Sequence, residues 1–274
     1  HQKTGLSWLQ MLWLNGYNGA LLADDMGLGK TLQALTFMGW VRELMERNTI
    51  SKMPMLIVAP VVLLENWKEE YGIFLEPIFG PFIELHGVGL QRLRDKDAAH
   101  RLNISREIEI KEQNDAERII RSGRGLLLNY KEIENAGAVI TTYETVRDYQ
   151  FSLSLINWGV MILDEAQKIK TPTAMVTTAV KAMKYEFGIS LTGTPVENTW
   201  VDLWSIMDFI QPGYLESLKD FIKQFQNPLR KEGTDREALG KSLKNKVYPL
   251  LKRRLKKDHL DGLPVKKIKV YEVQ

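Results

Sequence analysis

An α/β fold, with a largely parallel sheet and helices on both faces, is written into the chain by three patterns. Short apolar runs recur along its length, helical stretches separate them, and turn residues bound each one. Strand alternating with helix argues for parallel pairing, because the helix returns the chain to the edge from which the strand set out. In order, Leu6, Leu9, Leu12 and Trp13 fall at helical spacing, and GALLAD (19–24) follows as a buried strand. A helix is expected from Lys30 to about Arg47. MLIVAP (55–60) reads as a strand, LLENWKEEYGIF (63–74) as part of a helix, and FIEL (82–85) as a short strand. GAVITTY (137–143), GVMILDE (159–165) and GISLTGT (188–194) complete the strands. Beyond Pro195 the chain reads mostly helical to about Lys257, and no internal repeat is visible.

Composition sets outer bounds. A chain of 274 residues has ample core for one large domain or two small ones. The 37 basic and 34 acidic side chains leave a net charge of +3, too small to imply nucleic acid by itself. With no cysteine, disulfides and thiolate metal sites are excluded. The longest apolar run, MLIVAPVVLL from Met55, is well short of the roughly 20 residues that span a bilayer, and it contains Pro60. No secretory signal opens the chain. A soluble intracellular protein is expected, and His1 in place of a methionine is expected of a fragment.

Residues 91–125 are charged, weakly periodic and lie between two convincing strands. An insertion with a solvated face is expected there, since acids and bases are mixed; a basic clamp for nucleic acid is the alternative.

The stretch ALLADDMGLGKTLQAL (20–35) carries the first chemistry. It matches the phosphate-loop pattern G-x-x-x-x-G-K-[ST] except that Asp24 stands where the first glycine belongs. A strand that ends in a tight turn and opens a helix presents backbone N–H groups and a helix dipole to an anion. Gly27 and Gly29 let the backbone approach phosphates without a Cβ clash. Lys30 would reach the β- and γ-phosphates, and the Thr31 hydroxyl would ligate Mg²⁺. An ordinary glycine-rich turn is the competing reading. Asp24 and Asp25 are expected at the mouth of the loop, with side chains that need not face the phosphates.

Such a loop needs a carboxylate on a neighbouring strand. VMILDEAQ (160–167) supplies one, with Asp164 and Glu165 following four apolar residues. Asp164 is placed to bind Mg²⁺, and Glu165 to polarise the attacking water. Plain turn chemistry is the alternative.

DDMGLGKT (24–31), DEAQKIKTPTA (164–174) and LTGTPVENTWVDLWSIMDFIQPG (191–213) together resemble motifs I, II and III of the SWI/SNF-type ATPases of helicase superfamily two. APVVLLENWKEE (59–70) resembles motif Ia, VITTYETVRDY (139–149) motif Ib, and LKRRLKKDHLDGLPVKKIKVYEV (251–273) the segment leaving the first lobe. The resemblance spans nearly all of the chain outside 91–125. Motif I of this family commonly lacks the leading glycine, although Glu is often found where Asp25 stands. Gln167 in place of His ending motif II also occurs, particularly in bacterial members.

The resemblance implies a RecA-like lobe at 1–211, followed by a helical extension and hinge at 212–274 that lead to a second RecA-like lobe. It implies ATP and Mg²⁺ as ligands, with Met26, Gly27, Leu28, Gly29, Lys30 and Thr31 cradling the phosphates and Gln2 reading adenine. Gln167, Thr192, Gly193 and Thr194 would couple nucleotide site to DNA track, although Thr194 or Asn198 could instead cap a helix. Pro60, Asn66, Trp67 and Lys68, with Thr141, Thr142 and Tyr143, would grip one strand's phosphates in double-stranded DNA. For these, exposed helix positions and a core role for Trp67 are the alternatives.

The function implied is the ATP-binding lobe of a DNA-dependent ATP hydrolase and translocase. It would act on double-stranded DNA, and on a DNA-bound protein complex where remodelling is involved, with no membrane. The compartment would be the cytoplasm, on the nucleoid, in a bacterium, or the nucleus in a eukaryote. A catalytically silent scaffold that binds nucleotide or DNA is the alternative. A phosphate-loop kinase of small metabolites is disfavoured, because motifs Ia, Ib and III have no place in it.

Overall fold

The computed structural model describes residues 1–75, 79, 82–94, 128–196, 199–230 and 235–256. Most of the charged 91–125 stretch and of the exit segment, with Glu197, Asn198 and Lys257, lie outside the described residues.

Seven strands form one sheet in the order β3-β4-β2-β5-β6-β1-β7. They are β1 (Gly19–Leu22), β2 (Met55–Val58), β3 (Ile83–Leu85), β4 (Ala138–Thr141), β5 (Asn157–Asp164), β6 (Lys184–Leu191) and β7 (Leu251–Lys252). Every pairing is parallel. All residues of β1, β2 and β4 are buried, as expected of strands covered on both faces. That double covering is why they read as unbroken apolar runs rather than as alternating ones.

Among the described residues the helices are α1 (Gln2–Leu14), α2 (Lys30–Glu46), α3 (Leu64–Phe74), α4 (Gly87–Leu93), α5 (Tyr130–Glu134), α6 (Tyr143–Asp148), α7 (Gln150–Ser154), α8 (Met175–Lys181), α9 (Trp200–Ile210), α10 (Leu218–Phe221) and α11 (Arg236–Val247). α2 buries Ala34, Leu35, Phe37, Met38, Val41 and Met45 against the sheet. Phe37 lies 5.1 Å from the Phe187 ring of β6 and 6.0 Å from Trp13 of α1, which ties both helices to one strand. α9 begins at a cap different from the one considered above. The amide and hydroxyl of Thr199 both donate to the Asp202 carboxylate, at 3.4 and 3.0 Å, so Thr199 rather than Thr194 starts this helix.

β7 falls in a stretch expected to be helical. Two residues are too few to show strand periodicity, and β7 forms because the free edge of β1 accepts it: Leu21 pairs with Leu251 and Leu22 with Lys252.

Register decides where the chemistry gathers. Leu22 lies beside Leu191, Asp164 beside Leu191, and Val58 beside both Leu163 and Thr141. The carboxyl ends of β1, β2, β4, β5 and β6 therefore form one rim, and each of the five motifs begins there. In open parallel sheets ligands bind at this rim, because the loops and helix N-termini point outward from it.

Candidate active site

β1 and α2 flank the glycine-rich loop read above as a phosphate loop. Gly27 (φ 84°) and Gly29 (φ 70°) both take the left-handed conformation that side-chain-bearing residues disfavour. A Cβ on Gly29 would also stand 2.3 Å from Gln2 Nε2, so the bare backbone lets Gln2 lie against the loop. The first amides of α2 have no intrahelical acceptor and form an anion-binding end. Met26 is exposed and Leu28 buried, so Leu28 anchors the loop to the core while Met26 projects from it.

Lys30 donates its ammonium to the carbonyls of Asp24 at 2.7 Å and of Asp25 at 3.5 Å. Burial pushes its pKa down, against the pull of Asp24, Asp164, Glu165 and Asp25. A partly desolvated cation beside free amides suits a polyphosphate.

Asp24 and Asp25 turn to another task. Asp24 is fully buried and accepts from the Arg254 amide at 2.9 Å and from Arg254 Nε at 3.0 and 3.1 Å, with Arg254 Nη2 as a further donor. Arg254 Nη2 also donates to Gln33 Oε1 at 2.6 Å, and Nη1 to the His1 carbonyl. Asp25 accepts from the Lys256 amide at 2.9 Å. The two acids thus hold residues 254–256, which follow β7. The basic run at 252–257 was the available signal, although nothing local says which acids it meets.

Asp164 ends β5, half-buried. Its Oδ2 accepts from Trp67 Nε1 at 2.8 Å and its Oδ1 from the Glu165 amide at 2.9 Å, while its carbonyl accepts from the Tyr143 hydroxyl at 2.7 Å. Burial raises its pKa, and the Trp67 and Glu165 donors pull it back. Glu165 sits in the left-handed region (φ 50°, ψ 54°), a strained backbone for a glutamate and of the kind that collects at functional sites. Gln167 Nε2 donates to Glu165 Oε2 at 2.6 Å, the Thr192 hydroxyl to Gln167 Oε1 at 2.8 Å, and the Thr194 amide to Thr192 Oγ1 at 3.0 Å. An unbroken hydrogen-bond chain therefore runs from the end of β5 to the loop after β6, where the Gly193 carbonyl accepts from Arg253 Nη1 at 3.4 Å.

The residues expected at the DNA face divide. Asn66 is exposed and Pro60 partly so. Four side chains turn inward, as the alternative of a core role had it for Trp67, which leaves main-chain groups there to meet a phosphate backbone. Trp67 is 1% exposed, with its N–H on Asp164, and the Thr141 hydroxyl donates to the Leu85 carbonyl at 2.9 Å. Thr142 accepts from the Thr145 amide at 3.2 Å as the cap of α6, and Tyr143 is buried against Asp164. The Lys68 ammonium is held by Glu65 at 2.7 Å and Glu84 at 2.9 Å, and these bonds raise its pKa.

Among the described residues no group of three or more His, Asp or Glu side chains could hold a metal unaided. Thr31, in the first turn of α2, and Asp164, at the end of β5, supply the oxygen donors that Mg²⁺ takes alongside phosphate oxygens and water.

The model of the SNF2-related domain family matches residues 1–274. The chain belongs to this family. The SNF2-related domain is 40% identical over 270 residues to the Zorya protein ZorD of Escherichia coli O139:H28, covering 97% of this chain and 23% of the relative. It is 35% identical over 259 residues to the putative ATP-dependent helicase/translocase YwqA of Bacillus subtilis, covering 94% of this chain and 23% of that one. The Sulfolobus solfataricus SWI2/SNF2 ATPase core in complex with dsDNA matches with a TM-score of 0.69 at 31% identity, over 96% of this chain and 46% of that chain. The SNF2-related domain thus spans about a quarter of these curated relatives, and its sheet is the RecA-like fold of an SWI2/SNF2 ATPase core.

Proposed function

We propose that this domain is the N-terminal ATP-binding lobe of a DNA-dependent ATP hydrolase that translocates on double-stranded DNA. The observation that carries the reading is the chain Glu165–Gln167–Thr192–Thr194 beside the Lys30 loop, a hydrolytic carboxylate wired to a second loop on the same rim. A small-molecule kinase has no use for such a link. Residues 1–211 would form most of the lobe, to whose sheet β7 (251–252) adds an edge strand, and the chain after β7 would lead to a second RecA-like lobe of the same parent chain.

Met26 to Thr31 would surround the phosphates, Lys30 would give up its carbonyl partners for them, and Gln2 would meet the base. Thr31 and Asp164 would hold Mg²⁺, which when bound neutralises charge developing on the β- and γ-phosphates. Glu165 would orient a water and accept its proton. The DNA backbone would meet the Pro60 and Thr142 segments through main-chain groups and Asn66, contacts that carry no sequence preference. A DNA-bound protein complex is the class of object such a motor would displace. The dsDNA held by the Sulfolobus ATPase core supports this reading.

This lobe grips nucleotide from one side only. Arginines supplied from a second lobe would complete the site, and such groups are worth on the order of 10³ to 10⁵ in rate in other nucleotide hydrolases. Residues 1–274 alone should release phosphate slowly, with little response to duplex DNA, and the full-length parent should show DNA-stimulated hydrolysis. Robust DNA-stimulated turnover by residues 1–274 alone would refute the one-sided site.

A further inference from the structure

Asp164 is held by two aromatic side chains for which phosphate chemistry has no direct use. Trp67 lies in the first turn of α3, just beyond Pro60 and the short 3₁₀ turn Val61–Leu63. Tyr143 opens α6 directly after Thr142. Each spends a polar atom on Asp164: the indole N–H on Oδ2 at 2.8 Å and the phenol O–H on the carbonyl at 2.7 Å. Both rings are 1% exposed, and Phe would fill most of either site, so packing alone does not call for these polar atoms. Two loops of the rim thus converge on one residue, from sequence positions 97 and 21 residues away.

We propose that Trp67 and Tyr143 are positioning residues that fix the carboxylate and main chain of Asp164 and make its placement depend on the Pro60 and Thr142 segments. The inference rests on the nucleotide-site reading above. A carboxylate oxygen has two lone pairs, so Oδ2 can take the indole N–H and still face a metal or its water. Donors to a metal-binding carboxylate orient it, and their loss commonly weakens metal binding 10- to 100-fold. A duplex backbone pressing on the Pro60 or Thr142 segment would move the start of α3 or α6, and the attached donor with it. DNA contact would then be felt at Asp164 without any side chain bridging the two ligands.

The test uses Trp67→Phe, Tyr143→Phe and the double variant in the full-length parent. A fluorescent ATP analogue titrated with Mg²⁺ reads the carboxylate, and duplex affinity and phosphate release are measured alongside. The double variant should need about 10-fold more Mg²⁺ for half-saturation and lose most of its DNA stimulation. Analogue binding without Mg²⁺ and duplex affinity without nucleotide should stay within about 2-fold of wild type, because neither uses Asp164. An unchanged Mg²⁺ half-saturation would overturn the proposal, as would a parallel loss of duplex affinity, which would place the two rings at the DNA interface itself. Should the double variant fail to fold, Tyr143→Phe, which loses only a hydroxyl, decides on the same Mg²⁺ titration. A wild-type parent that binds no nucleotide would remove the nucleotide-site reading instead, and that outcome is distinct from wild-type-like variants in a competent parent.

Discussion

Asp24 and Arg254, 230 residues apart in sequence, form a buried ion pair at the root of the phosphate loop. The Asp24 side chain is wholly buried and that of Arg254 only 10% exposed. The guanidinium also reaches Gln33 in α2 and the carbonyl of His1, so one side chain joins the first helix, the phosphate-loop helix and the outgoing strand.

Removing one partner of such a pair leaves a buried charge unanswered. Arg254→Ala should cost about 3–5 kcal/mol of stability. Adding Asp24→Asn to it should recover part of the loss, since the stranded charge is gone. Urea unfolding of the two variants checks both statements, and a cost below about 1 kcal/mol for Arg254→Ala would contradict the latch.

Lys30→Ala should abolish ATP-dependent activity in the full-length parent while the fold survives. The ammonium is partly desolvated and bonds only carbonyls of its own loop, so little in the core depends on it. Phosphate release and circular dichroism on the purified variant decide, and wild-type turnover would dismiss the phosphate loop.

Glu165→Gln should bind Mg-ATP and hydrolyse it slowly. The amide oxygen can still accept from Gln167 Nε2, so the hydrogen-bond chain survives while basicity is lost. Nucleotide affinity and single-turnover hydrolysis separate the two effects. Lost affinity with normal turnover per bound ATP would reassign the residue.

Thr192→Val keeps the shape of a side chain that is 1% exposed and deletes its hydroxyl. Gln167 Oε1 loses its donor and the Thr194 amide its acceptor, at a cost of about 1–3 kcal/mol. In the full-length parent, DNA stimulation should fall further than basal hydrolysis. Equal losses in the two rates would mean that Thr192 serves the fold and not the coupling.

Much of this was legible in the residues themselves. The alternation of apolar runs with helical stretches implies the parallel sheet, because burial on both faces leaves an unbroken apolar mark on strands such as β1, β2 and β4. The strand, glycine turn and helix around Lys30 and the Asp164–Glu165 pair at a strand end could be read directly, since these elements are consecutive and their spacing is local. Tertiary structure alone decided where polar atoms would be spent. Asp24 looked like a flaw in the phosphate-loop pattern until Arg254 arrived from the far end of the chain. For Trp67 the residues left a DNA contact and a core role both open, and the register of β2, β4 and β5 brings its side chain and that of Tyr143 inward to Asp164. β7 exists only because β1 offers it an edge. A periodic pattern records which face of an element is buried; the partner of a buried donor or acceptor is set by strand order, which brings distant residues together.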